Sequence, residues 1–170
     1  MIAGLIIAVE PTVTNPPQSM VIVASADTYV SESDPTSEHG DDLVLRVDSV
    51  PDRFVALVSF EVPTASDPLI NATLRIHART PSIWGTAVAK VENDFPREST
   101  TWRTRPGSTD LAGLLPPTTD PGWIDLDLTE VTVAGERLSL ALFARGPTMV
   151  TFDSRESPEL GPQLLLIFSP

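Results

Sequence analysis

Ala72-Thr73-Leu74-Arg75-Ile76-His77-Ala78-Arg79 alternates apolar and polar side chains without a break. Successive side chains of a β-strand point to opposite faces, so this stretch has one wall for a core and one for solvent or a cover. The same period of two runs through Leu43 to Val47, Phe54 to Phe60 and Leu138 to Phe143. A helical stripe of any length is missing, and the one helical turn expected is at Leu128 to Thr132. Strands are predicted near 20–24, 26–31, 42–48, 53–61, 70–79, 86–92, 122–127, 137–144, 149–153 and 162–169, with Pro, Gly, Asp and Ser between them. That spacing reads as all-β: an antiparallel β-sandwich of jelly-roll type.

Two segments do not fit a compact sandwich. Residues 1–19 hold an apolar strand with Leu5, Ile6, Ile7 and Val9, then a linker from Pro11 to Pro17 that prolines keep extended. The sandwich itself is assigned to residues 20–170. A strand as apolar as Leu5 to Val9 must pair with something, either as an edge of its own sandwich or as an assembly arm added to a neighbouring subunit's sheet. Pro106 to Gly122 reads as a long Pro/Gly/Thr loop.

Composition narrows the function. The chain of 170 residues carries 23 acidic against 11 basic residues, a formal charge of −12, and no cysteine. Such a field repels phosphate backbones and excludes a nucleic-acid partner. Disulfide and thiolate metal sites are also excluded. Lys90 is the only lysine among the basic residues, a bias associated with GC-rich genomes. The apolar run Ile2 to Val9 lacks a preceding basic residue and is too short to span a bilayer, so neither a signal peptide nor membrane insertion is expected.

Three groups of side chains could carry chemistry. Trp102, Arg103 and Arg105 set an aromatic ring beside guanidinium groups, the combination that grips the apolar face and the carboxylates of an acidic sugar. Asp27, Asp153, Arg155 and Glu156 are expected to form a structural ion-pair network that ties the first sandwich strand to the penultimate one. Glu32, Asp34, Glu38, Asp41 and Asp42 crowd one loop, a candidate calcium site, although their spacing is not that of an EF-hand. No other cofactor is called for. His39 and His77 lack partners at metal-ligand spacing, and no nucleophile motif or phosphate loop is present. The chain therefore reads as a non-enzyme.

Taken in order, several runs resemble a DNRLRE-type domain, a family of extracellular β-sandwich modules related to the disaggregatase-associated domain. They are Ala26 to Val30, Leu43 to Val47 after Gly40, Ser59-Phe60-Glu61, Ile70 to Ile76, Thr101-Trp102 with Arg105-Pro106, Asp127-Leu128-Thr129, Leu138 to Leu142, Phe152 to Glu156 and Pro162-Gln163-Leu164. Arg103 and Thr104 stand where the family commonly has two asparagines. The resemblance implies a carbohydrate-binding or adhesive module of the kind found in minor tail proteins of phages of high-GC bacteria. With its own Met1 and no signal, the chain is expected to be a virion component, a minor tail or decoration protein assembled in the host cytoplasm. It would join other virion proteins or further copies of itself through the arm and touch host-surface polysaccharide. The alternative is a stand-alone, extracellular module for an acidic polysaccharide.

Overall fold

A computed structural model describes residues 16–91 and 99–170. Its strands are β1 (Gln18–Val23), β2 (Ala26–Ser31), β3 (Val44–Val47), β4 (Phe54–Glu61), β5 (Leu69–Ala78), β6 (Thr86–Val91), β7 (Ser108–Leu115), β8 (Gly122–Asp127), β9 (Arg137–Ala144), β10 (Val150–Asp153) and β11 (Gln163–Phe168). All pair antiparallel in two sheets, which face each other as a sandwich. Sheet I runs β1-β11-β5-β10-β3 with β8 also on β5, and sheet II runs β2-β4-β9-β6-β7. The expected helical turn is a 3₁₀ turn at Thr129–Val131.

β5 organises sheet I because its 10 residues outreach its neighbours. One edge takes β8 between Thr73 and Ala78, while the other takes β11 first and then β10 at Ala78. Its alternation is realised side chain by side chain. Ala72, Leu74, Ile76 and Ala78 are fully buried, whereas Thr73, Arg75 and His77 lie half-buried on the outer face. Across the gap they meet Ala56, Val58 and Phe60 of β4 and Leu140 and Leu142 of β9, with Leu45, Phe152, Leu164 and Leu166 completing the core.

Sheet II departs from simple alternation. Every residue of β2, and Val55 to Phe60 of β4, is buried. Ala26, Val30, Val55, Leu57, Val91 and Ala141 form a second apolar cluster against which Trp102 and Phe143 pack. The register pairs Val30 with Val55 and Leu57 with Ala141, and alternation turns these side chains away from the main core. A sheet apolar on both faces needs a cover on both. Trp102, shortly before β7, supplies part of the second cover by packing on the outer face.

The Pro106 to Gly122 segment is not one loop, as the sequence suggested, but a loop, a strand and a second loop. Among the described residues β7 is an edge strand paired only to β6, with register shifts, and its first residues are exposed. Little apolar patterning is required of a strand in that position. Gly113 belongs there because a Cβ would come within 2.9 Å of Leu126 Cδ1, so β7 and β8 approach across the open side of the sandwich.

Phe152 is fully buried and lies where β5, β10 and β3 meet. Phe152→Ala should lower the unfolding free energy by about 3–5 kcal/mol, read as a shift of the urea midpoint.

Candidate functional site

The loop that covers sheet II also shapes a groove on it. Val55, Leu57, Ala141 and Phe143 form the floor, and Arg105, Pro106, Gly107 and Ser108 the wall, around a space of about 390 Å³. The wall is braced locally. Thr104 N donates to Thr101 O (3.2 Å), Thr101 N donates to Thr104 Oγ1 (3.0 Å), and Arg103 N reaches Pro35 O (3.2 Å) in the acidic loop. Trp102 is half-buried, one side on the sheet, and the Arg105 guanidinium carbon sits 3.7 Å from its ring centroid. Arg105 also donates to the Trp102 carbonyl, and Arg53 stands 5.9 Å from the same ring. The indole face that the sequence offered to a sugar is therefore occupied by a guanidinium. Arg103 and Arg105 are exposed, and burial against the loop lowers the Arg105 pKa although Glu32 opposes this. The arrangement presents cationic forks beside an apolar floor, chemistry suited to a carboxylate carried on a hydrocarbon ring. Arg53, Val55, Leu57 and Phe143 were missed by sequence reading. They sit on strands far along the chain from Trp102, and only strand alternation hinted that Val55 and Leu57 face outward.

Asp27, Arg155 and Glu156 do meet. Arg155 backbone N donates to Asp27 Oδ2 (2.8 Å), while its side chain donates to Glu156 Oε1 (2.7 Å) and Ser25 O (2.8 Å). Asp27 Oδ1 and Glu156 Oε2 are buried with no other partner, and the two carboxyl groups lie within hydrogen-bonding reach. Burial, with the Glu156 charge beside it, pushes the Asp27 carboxyl up to about 7, against the lowering effect of the Arg155 N–H. The cluster joins β2, the Ser25 crossover between sheets and the β10–β11 loop.

Asp153 belongs to a different group. Although buried, it lies on the outer side of sheet I, where Oδ2 meets His77 Nδ1 at 2.8 Å. Oδ1 accepts Ser157 Oγ at 2.7 Å and stands 3.7 Å from Arg79 Nε. His77 in turn meets the Trp123 ring edge-on, centroids 5.2 Å apart. The period of β5 placed His77 outward, but nothing in the sequence linked it to Asp153.

The acidic loop spreads its carboxylates rather than gathering them. Asp42 Oδ2 accepts Tyr29 Oη (2.8 Å) and contacts His39 Nδ1 (3.2 Å), and the His39 ring stacks on Tyr29 at 4.1 Å. Asp34 accepts Ser37 Oγ (2.6 Å), Glu32 faces Arg53 (3.8 Å), and Glu38 and Asp41 are exposed. Among the described residues, no group of three or more His, Asp or Glu side chains is placed to hold a metal ion.

Asp27 makes stability depend on pH with a defined sign. Its pKa is higher folded than unfolded, so its favourable contribution is full below about 4 and is lost as pH rises through about 7. Thermal melts from pH 5 to 8.5 should show Tm falling for the wild type, with a distinctly smaller fall for Asp27→Asn, whose amide keeps the hydrogen bonds at every pH.

None of the curated proteins matches the sequence. Among solved structures, the enzymatically active domain of bacteriophage CBA120 tailspike protein 4 aligns over 90% of this chain and 19% of its own, at 11% identity and a TM-score of 0.31. The structure of infectious bursal disease virus Gx strain aligns over 96% of this chain and 42% of its own, at 12% identity and a TM-score of 0.22. The chain thus spans under half the length of either structure. Sequence agreement is extensive elsewhere: residues 18–168, the whole sandwich from β1 to β11, match one family of sugar-binding domains. The chain belongs to carbohydrate-binding module family 96.

Proposed function

We propose that this chain is a non-catalytic module that recognises an acidic polysaccharide through the groove on sheet II. The observation that carries the reading is the gathering of Arg53 and Arg105 around Trp102, next to an apolar floor, in a protein whose overall charge is −12. Guanidinium forks bind carboxylates in two-point contact, and the hydrocarbon face of a uronic acid ring fits against Phe143. Because the overall field is repulsive, attraction depends on these local cations, so removal of one is felt strongly. In affinity gels, Arg105→Ala should weaken retention on polygalacturonate about tenfold without lowering Tm, since Arg105 is exposed. Unchanged retention would remove the groove from this role.

A second reading, an adhesive or decoration component of a phage particle, is favoured by β1. This edge strand of sheet I pairs only with β11 among the described residues, and Met20, Val21 and Val23 are 45%, 58% and 68% exposed. An apolar edge of that kind accepts a further strand, from a virion neighbour or a second copy. The proposed arm of Leu5, Ile6, Ile7 and Val9 lies outside the described residues. Solution mass should show an oligomer for the full chain and a monomer once residues 1–17 are removed. Two equal, folded monomers would overturn the assembly reading.

A further inference from the structure

We propose that the outer face of sheet I carries a second sugar platform, built by Trp123, His77 and the Arg75–Asp125 pair, which takes a neutral, hydroxyl-rich pyranose. This deepens the carbohydrate-binding reading and rests on it. Register puts Trp123 opposite His77 and Asp125 opposite Arg75 in the same β5–β8 ladder. The two pairs are two residues apart along the strand, roughly 7 Å, the scale of one sugar ring.

Each part is held in place. Trp123 stays 40% exposed on the outer face, its ring set at 74° to His77. An indole kept in water on a rigid strand is ready to receive the C–H face of a pyranose. His77 is anchored from beneath by Asp153, a carboxylate only 3% exposed that bonds Nδ1 at 2.8 Å. That anchor fixes the ring and leaves Nε2 as the nitrogen available to a hydroxyl. Arg75 grips Asp125 with two bonds, Nε to Oδ1 at 2.9 Å and Nη2 to Oδ2 at 3.1 Å, both side chains partly exposed.

Charge selects the kind of sugar. On this face Arg75 is matched by Asp125, and Arg79 and His77 by Asp153. No surplus cation among these groups invites a carboxylate, the exposed Asp127 next along β8 on the same face repels one, and adjacent N–H donors and carboxylate acceptors suit vicinal hydroxyls. The groove on sheet II, with its guanidinium groups, makes the opposite selection. The whole sandwich separates the two sites, so they engage different sugar units, and a polymer bearing both kinds gains from simultaneous attachment.

The test is affinity electrophoresis of the full chain in neutral galactomannan, xylan and polygalacturonate, with Trp123→Ala, Trp123→Tyr, Asp125→Asn and Arg105→Ala beside the wild type. Trp123→Ala and Asp125→Asn should lose about tenfold in retention on at least one neutral polymer, with polygalacturonate retention and Tm unchanged. Trp123→Tyr should keep most of it, and Arg105→Ala should show the reverse pattern. Neutral polymers that retain wild type and Trp123→Ala equally, or retain neither, overturn the platform while binding to polygalacturonate leaves the groove standing. A wild type retained by none of the three overturns the groove reading and the platform with it.

Discussion

Sheet II carries apolar side chains on both of its faces, and much of the molecule is a consequence of that constraint. The inner face is covered by sheet I. The outer face, with Val30, Val55, Leu57 and Ala141, meets no second sheet among the described residues, and Trp102 packs on it from a connection. Trp102 is the anchor of that cover, and Arg105 lies on the ring that the sheet leaves uncovered. The same folding requirement thus creates a groove between the loop and the strands. A cover that met the sheet everywhere would leave no room for a ligand.

The closing of the sandwich at the Ser25 crossover depends on a second, electrostatic arrangement. Asp27 alternates into the interior, where an isolated carboxylate would be costly. Arg155 answers with its backbone N–H, and burial raises the Asp27 pKa so that the carboxyl keeps its proton to higher pH. Arg155 then balances Glu156 and bonds Ser25, so one short loop joins the crossover to β2. These contacts link the two sheets at the crossover.

Those surfaces differ in electrostatic character although the chain as a whole is strongly acidic. Around Trp102 the arginines gather on one flank, with Glu32 the neighbouring acid. On sheet I the cations and carboxylates alternate in pairs across the β5–β8 and β5–β10 ladders. The carboxylates of the acidic loop are spread among separate partners. Net charge therefore describes the far field, and local pairing decides what each face can hold.

By itself the sequence determined the strands whose period of two is strict, since one-sided burial writes itself into alternation. β5, β9 and most of β4 were legible for that reason, as was the all-β sandwich. It also determined that Trp102 stands close to Arg105, and that Asp27 has acid and base partners near residue 155. Only tertiary structure decided β7, because a solvent-exposed edge strand needs no apolar pattern. Only tertiary structure joined His77 to Asp153 and placed Leu57 and Phe143 under Arg105, since those contacts cross between segments far apart in the chain. It also brought the Arg155 backbone N–H to Asp27. Residue types fix which interactions a side chain can make. Packing fixes which partner arrives, and burial decides whether that partner brings a charge or a proton.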